Sequence, residues 1–392
     1  MTDVAERLQE LRDRGLHRRL RLVEGAQGPR VLLDGAEVLL LCSNNYLGLA
    51  DHPAVRGAAA EAALRWGAGA GASRLVSGNM EPHRQLEERL AAFKGYGAAL
   101  LFGSGYLANT GAVAALAGAG EVVFSDELNH ASIVDGCRLS RAETFVYRHA
   151  DLEHLAWGLR EADGRGALIV TDGVFSMDGD VAPLPELLEL ARRHGCRLLV
   201  DEAHATGALG PDGRGTVAAA GLSGEVDVVV GTLGKALGSY GAYACASAET
   251  IDFLLNAARP FVFSTAPPPP SVAAAGAALT LVTSSRVERL RANAECFRAA
   301  LVTEGLNPGR SQTQIVPIEV GAAEATMELC ERVLEGGVFA QGIRPPTVAE
   351  GSSRLRFTVM ATHRPAELER AARLVGAAAR AAGVGTPAAV AA

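Results

Sequence analysis

The chain has no apolar stretch long enough to cross a bilayer. Its longest apolar run, near Val272 to Val282, falls short of the roughly 20 residues a membrane helix needs. An apolar leader is missing as well: Met1-Thr2-Asp3-Val4-Ala5-Glu6 carries charges where a secretion signal requires a hydrophobic core. Cysteine is sparse. The six cysteines, Cys42, Cys137, Cys196, Cys245, Cys296 and Cys330, are scattered with no Cys-x-x-Cys pair. That argues against a disulfide framework or a zinc site and fits reduced thiols in the cytoplasm. Positive charge is in deficit, with 37 Lys and Arg against 44 Asp and Glu, a net charge of −7. Nucleic acid or an anionic membrane is therefore not the expected main partner. No internal repeat is visible.

What is present is an ordinary globular composition, 48% hydrophobic and 21% charged, over 392 residues. That length accommodates two or three domains and a large core. Two short stretches organise the rest. In Leu199-Val200-Asp201-Glu202-Ala203-His204 an apolar run ends in an acid, with a histidine three residues on. In Gly231-Thr232-Leu233-Gly234-Lys235 the apolar run Val226 to Val230, broken by Asp227, leads into a glycine-flanked lysine. Both read as buried strands whose polar ends emerge together at one sheet edge. A lysine holds an aldehyde as a Schiff base, and a carboxylate keeps a pyridine nitrogen protonated. The pair therefore suits pyridoxal phosphate.

Taken in order, residues 1 to about 24 read as one helix, with Leu8, Leu11, Leu16 and Leu20 at roughly helical spacing. The cluster Arg18-Arg19-Leu20-Arg21 reads first as a solvated face and second as a reach toward an anionic substrate. Residues 30 to 42 predict one or two strands turning at Asp34-Gly35. After the polar turn Ser43 to Leu49, Asp51-His52-Pro53 opens a helix to about Trp66. The loop Gly67 to Arg74 is glycine-rich, which permits close backbone approach or simple flexibility. A helix from His83 to Phe93 turns Leu86 and Leu90 inward. Ala98 to Phe102 predicts a strand, and Gly103-Ser104-Gly105-Tyr106 then enters a helix whose free N–H groups form a phosphate site.

From about 120 to 282 apolar strands alternate with helical stretches, the clearest being Leu184 to His194 between Pro183 and Gly195. This predicts a mostly parallel sheet covered on both faces, with ligands at the C-terminal strand ends. Those ends carry Asp126, His130, Asp172-Gly173-Val174-Phe175-Ser176, Asp201, His204, Thr232 and Lys235. Pro267 to Pro270 mark a boundary before a long helical region, Ala273 to Gly305. Strands near Ile315 to Val320 and Leu355 to Met360 belong to a smaller α/β domain. On the second of these, Arg354 and Arg356 project to one face, either as solvated edge residues or as anion ligands. The alanine-rich tail after about Gly383 reads as frayed.

These stretches together resemble the α-oxoamine synthases, a pyridoxal-phosphate family of fold-type I, over nearly the whole length. The likeness rests on Ser43-Asn44-Asn45-Tyr46-Leu47-Gly48, Asn129-His130-Ala131-Ser132, Thr171 to Asp180, Asp201-Glu202-Ala203-His204 and Thr232-Leu233-Gly234-Lys235. It implies an α/β transferase fold, with a large domain built on a mostly parallel central sheet and a smaller C-terminal α/β domain. The corresponding spans are 1–45 for an N-terminal helix and strands, 46–280 for the cofactor domain and 281–392 for the small domain. By the same resemblance Lys235 carries the cofactor and then acts as general base, Asp201 pairs with the pyridine nitrogen, and His130 stacks on the ring. His204 and Ser176 bond its phenolic oxygen. Gly105, Tyr106 and Thr232 hold the phosphate or ring edge, and Ser264 and Thr265 contribute to the phosphate of a partner subunit in a homodimer with shared sites. Arg356 anchors the amino acid carboxylate, and Arg18, Asn44, His130 and Thr347 face substrate. No metal is implied. The stretch Ile343-Arg344-Pro345-Pro346-Thr347-Val348 is similar to the branch that joins L-alanine to a pimeloyl thioester, carried by coenzyme A or an acyl carrier protein, in biotin synthesis.

Three other readings compete with this one. Sister enzymes of the family condense glycine or serine with other acyl thioesters. A nicotinamide-dependent oxidoreductase would use Gly103-x-Gly105-x-x-Ala108 with Asp126, but leaves Lys235 and Asp201 idle. A non-catalytic subunit would keep the fold, against which stand Lys235, Asp201 and His130.

Overall fold

A computed structural model of the protein describes residues 3–384, so most of the alanine-rich tail lies outside the described residues. Two compact units are present. One runs to Gly48, takes in Met177–Gly179 and resumes at Glu288; the other holds Leu49–Ser176 and Asp180–Val287.

The chain begins with α1 (Val4–Asp13), followed by β1 (Val23–Glu24), β2 (Arg30–Leu33) and β3 (Ala36–Leu40). The single helix expected to about residue 24 is thus corrected. The step from Leu11 to Leu16 is five residues rather than three or four, which moves Leu16 off the helical face. The helix closes at Arg14, Gly15 turns with φ 63°, and no residue of α1 is buried. The β2–β3 hairpin turns where expected, with positive φ at both Asp34 and Gly35, the geometry of a type I′ turn.

The larger unit follows with α2 (Pro53–Trp66), α3 (Glu81–Lys94), β4 (Ala98–Phe102), α4 (Gly105–Leu116), β5 (Val122–Asp126), α5 (Ala131–Ser140), β6 (Glu143–Tyr147), α6 (Leu152–Glu161), β7 (Gly166–Asp172) and α7 (Leu184–His194). It continues through β8 (Arg197–Asp201), α8 (Thr216–Ala219), β9 (Val228–Thr232), β10 (Ala242–Ala246), α9 (Ala248–Ala257), α10 (Arg259–Val262) and α11 (Pro269–Leu281). Seven strands form one sheet in the order β4-β10-β9-β8-β7-β5-β6. Strands β6, β5, β7, β8 and β9 run parallel, and β10 is antiparallel to both its neighbours. Side chains alternate between faces. Leu168 and Val170 join a core with α4 and α5, while Ile169 joins another with α6 and α7. Both faces are covered, which explains why these strands read as continuous apolar runs. Helix α7 has the predicted limits, with Gly195 at φ 67° closing it. The edge strand β6 escaped the sequence reading because Glu143, Thr144 and Val146 are exposed.

The expected helical region 273–305 is two helices: α11, then α12 (Ser284–Thr303), parted at Val282 and Thr283. Next come β11 (Ile315–Gly321), α13 (Ala323–Glu335), β12 (Val338–Phe339), β13 (Gln341–Ile343), β14 (Ser353–Thr358) and α14 (Pro365–Ala381). Strand β14 is the middle strand of β11-β14-β13, and β12 adds in parallel to β3. The edge-strand reading of Arg354 and Arg356 is therefore corrected: both lie on a central strand and are buried.

Candidate active site

A cavity of about 180 Å³ opens at the C-terminal ends of β7, β8 and β9. Parallel pairing places Asp172 opposite Asp201, and Thr232 ends the next strand over. In open α/β sheets the C-terminal ends of the parallel strands are where ligands bind. Gly105, Tyr106, His130, Ser176, Asp201, His204, Thr232 and Lys235 all line this one cavity, joined by Asn109, Ser132, Asp172 and Ala203. Larger hollows exist, such as one of about 600 Å³ bordered by Asp178, Arg310 and Arg354. That one contains neither lysine nor histidine, so size does not select the site.

Lys235 follows β9 in a tight loop. Its carbonyl accepts the Gly238 N–H at 2.9 Å, and its Nζ lies 2.8 Å from His204 Nε2. Gly238 adopts φ 60°, and a Cβ there would come within 2.4 Å of the Ala50 nitrogen. The Thr232 hydroxyl donates to Gly241 O at 3.1 Å and accepts the Gly234 N–H at 3.1 Å, which fixes the start of the loop.

Asp201 is buried. Its Oδ2 accepts from Asn109 Nδ2 at 2.6 Å and its Oδ1 from the Ala203 N–H at 2.8 Å. Beside it, Glu202 points the other way into the protein and pairs with buried Lys94. Glu202 also accepts from Thr216 Oγ1 at 2.8 Å and Val217 N–H at 2.7 Å. Only the first acid of the Asp-Glu pair lines the cavity.

His130 caps α5, with Nδ1 accepting the Ser132 N–H at 3.2 Å, while its own backbone N–H donates to Asp172 Oδ2 at 2.8 Å. Burial pushes the His130 imidazole below its ordinary range; the Asp201 carboxylate opposes this and Lys235 reinforces it. The ring is therefore held neutral near pH 7. Asp172 is pushed well above the usual carboxylate range by burial and then by the charge of Asp201.

Helix α4 starts at the cavity. Ser104 caps it, its Oγ accepting the Leu107 N–H at 3.3 Å. The first-turn N–H groups have no intrahelical partner, and a Cβ on Gly105 would meet nothing within 4 Å. This is an open cradle for a compact anion. The Tyr106 hydroxyl is engaged outside the cradle, by Asp135.

The remaining expected residues lie elsewhere. Thr265 forms a β-bridge with Ser73, and the Ala266 N–H bonds Ala72 O at 3.0 Å. That ties Ser264 and Thr265 to the glycine-rich loop rather than to this cavity lining. Arg18, Asn44, Thr347 and Arg356 belong to the other unit. There Arg18 donates to Pro345 O at 3.3 Å, Asn44 Oδ1 accepts from Tyr46 Oη at 3.1 Å, and the Thr347 N–H bonds Arg344 O at 3.2 Å. Burial raises the Tyr46 hydroxyl pKa, against the pull of the Arg356 charge and hydrogen bonds from Gln314 and Arg356.

Asp126 does not serve the dinucleotide reading. It is buried and accepts from His149 Nδ1 at 3.0 Å and from the N–H groups of Leu128 and Ala150, each at 2.9 Å. Among the described residues no group of three His, Cys, Asp or Glu is placed to hold a metal, and no helix is long and apolar enough to cross a membrane. The sequence reading did not single out Asn109 or Ser132. Asn109 stands four residues after Gly105, on the same face of α4, and that spacing was its available signal.

The model of class I and II aminotransferases matches residues 36–375. The chain belongs to that family. Its relatives include an 8-amino-7-oxononanoate synthase from Citrifermentans bemidjiense, 56% identical over 96% of this chain and 97% of the relative. Among solved structures, a variant serine palmitoyltransferase from S. paucimobilis with a bound PLP–myriocin aldimine is 34% identical, with TM-score 0.92 and coverage of 97% of both chains. An 8-amino-7-oxononanoate synthase from Francisella tularensis superposes with TM-score 0.77 at 26% identity, covering 88% of this chain and 99% of that one. The seven-stranded sheet is that of a fold-type I transferase of this family, and the cavity lies where its sheet places a ligand.

Proposed function

We propose that this protein is a pyridoxal-phosphate-dependent acyltransferase. It condenses L-alanine with a pimeloyl thioester, releasing CO2 and the free thiol and giving 8-amino-7-oxononanoate for biotin synthesis in the cytoplasm. The observation that carries the reading is a lysine, a buried aspartate and a histidine on one cavity, in a chain 56% identical to a relative of that name. The residues present suit the cofactor. The open start of α4 suits its phosphate, Asp201 its ring nitrogen and Lys235 its aldehyde.

The bound cofactor supplies an electron sink for the carbanion formed at the amino acid α-carbon. The chain's own residues do the rest. Asp201, oriented by Asn109 and the Ala203 N–H, would pair with the pyridine nitrogen. Lys235 would hold the cofactor's aldehyde and, as a free amine, would be the base that takes the α-proton, with His204 orienting its Nζ. His130, neutral, packs on the ring face without adding positive charge. Arg356 grips the alanine carboxylate with its planar fork until CO2 leaves. Asn44, Arg18 and Thr347 serve the acyl side. A homodimer completes the site, with Ser264 and Thr265 serving the partner subunit's phosphate.

A second reading, a serine C-acyltransferase, is favoured by the TM-score of 0.92 to a serine palmitoyltransferase. Sequence identity weighs against it, at 34% compared with 56%. The deciding assay offers alanine, glycine and serine, each with pimeloyl-CoA, pimeloyl-acyl carrier protein and palmitoyl-CoA. CO2 release with alanine and a pimeloyl donor is expected. Turnover confined to serine and palmitoyl-CoA would overturn the first reading. Light scattering, expected to give a dimer mass, tests the shared-site assembly.

A further inference from the structure

The cavity wall carries a hydrogen-bonded chain that links Asp201 to His130 through two residues, Asn109 and Ser132, and the coupling it makes between them has no part in the proposed reaction. Asn109, buried on α4, donates from Nδ2 to Asp201 Oδ2 at 2.6 Å and to Ser132 Oγ at 2.9 Å. Ser132 Oγ in turn lies 2.7 Å from His130 Nδ1. The chain crosses three elements, from the end of β8 through α4 to the start of α5.

Its direction follows from donor and acceptor chemistry. The Asn109 amide nitrogen only donates, so Ser132 Oγ accepts that bond and has its one proton left to give. The reverse amide orientation would set Oδ1 against the Asp201 carboxylate. Asn109 Oδ1, buried with no hydrogen-bond partner, offers nothing to stabilise that flip. The Ser132 backbone N–H, an obligate donor, also points at His130 Nδ1, at 3.2 Å. Nδ1 thus faces two donors and must accept. In a neutral imidazole the proton then sits on Nε2.

We infer that Asn109 and Ser132 are positioning residues: they fix His130 as the Nε2–H tautomer and couple its orientation to that of Asp201. The inference rests on the reading of this cavity as the cofactor site. A tautomer locked from behind presents a hydrogen-bond donor at Nε2, suited to an oxygen that gains negative charge during acyl transfer. Mixing in the other tautomer would present a lone pair instead.

The test uses holoenzyme labelled with 15N-histidine, the His130 signals being assigned by their absence in His130→Gln. Ring nitrogen shifts report the tautomer without turnover. The wild-type protein is expected to show Nδ1 unprotonated and Nε2 protonated. Ser132→Ala, which loses the 2.7 Å hydroxyl donor and keeps only the 3.2 Å backbone one, and Asn109→Leu are expected to admit a share of the Nδ1–H tautomer, with kcat lowered about tenfold and KM for alanine nearly unchanged. Ser132→Thr, which keeps the hydroxyl, is expected to restore the wild-type shifts. Wild-type His130 protonated at Nδ1, or shifts identical in all variants, would overturn the inference. Failure of the underlying reading looks different: the protein would take up no cofactor and turn over no amino acid while the tautomer stayed fixed. Melting curves for each variant separate lost folding from lost positioning.

Discussion

At the scale of single residues, chemistry in the cavity depends on a few groups with distinct jobs. Lys235→Ala is expected to leave the fold intact, yield a colourless protein after reconstitution with pyridoxal phosphate, and lose roughly a thousandfold in turnover, since both tether and base are gone. Borohydride reduction followed by peptide mapping checks it; a reducible yellow adduct on another residue would refute the assignment. Arg356→Ala is expected to raise KM for alanine roughly thirtyfold, the worth of about 2 kcal/mol for a charge-assisted hydrogen bond. Arg356→Lys should recover only part, because an ammonium cannot reproduce the planar fork. Steady-state kinetics at varied alanine decides. The residues of this scale that sequence made legible share one trait. Asp201, Thr232 and Lys235 sit where an apolar run stops, so pattern alone marks them as strand-end groups. Asn109 and Ser132 lie within or at the start of helices among small residues, where the one signal, the four-residue step from Gly105 to Asn109, does not separate a packed polar group from a functional one. Their partners come from 92 and 23 residues away, a proximity only the folded chain shows.

At the scale of elements, the buried parallel strands and α7 were readable because each has sharp boundaries: apolar runs with polar ends, and a Pro183 entry with a Gly195 exit. The failures came where burial and periodicity part company. Helix α1 has Leu8 and Leu11 in helical rhythm yet buries neither, and the rhythm breaks at the five-residue step to Leu16, which lies beyond the end of the helix. Strand β14 carries alternating arginines that look like a wet edge, but pairing with both β11 and β13 makes it central. The alternating exposure of β6 hid it among loops. The loop after β9 supplies the test at this scale. Gly238 needs a left-handed φ and has backbone of the Leu49–Ala50 peptide where a side chain would go. Gly238→Ala is expected to cost roughly 2 kcal/mol or more, from steric overlap added to positive φ. Chemical denaturation measures it, and the displaced Lys235 loop should weaken cofactor retention in equilibrium dialysis. An unchanged midpoint with unchanged retention would show that the loop is not held by this contact.

At the scale of the whole molecule, two histidines, one in each unit, contribute pH dependences of opposite sign. In the unit containing β14, His363 is buried, with Nε2 3.1 Å from Leu40 O and Nδ1 accepting the Met360 N–H at 2.9 Å. Burial pushes it down to about 4. An unfolded histidine regains its ordinary value near 6.5 and binds a proton that the folded one refuses. Stability from this site is therefore full above about pH 6.5 and declines as pH falls toward about 4, by of order 3 kcal/mol. In the larger unit, His149 lies between Asp126, 3.0 Å from Nδ1, and Asp180, 2.7 Å from Nε2. Burial alone would lower it, but the hydrogen bonds and charges of the two carboxylates outweigh that and raise it to about 10. Here the folded state holds the proton more tightly. The contribution is full below about pH 6.5 and fades as pH rises toward 10, leaving Asp126 and Asp180 facing a neutral ring. Native-state hydrogen exchange, corrected for intrinsic rates, should show the Leu40 and Met360 amides beside His363 losing protection toward acid and the Ala150 amide beside His149 losing it toward alkali. His149→Gln should flatten the alkaline limb of the melting profile while lowering stability near neutrality, and His363→Asn should flatten the acid limb. If His363→Asn left the acid limb steep and His149→Gln left the alkaline limb steep, other titrating groups, not these two imidazoles, would set the pH range of the fold.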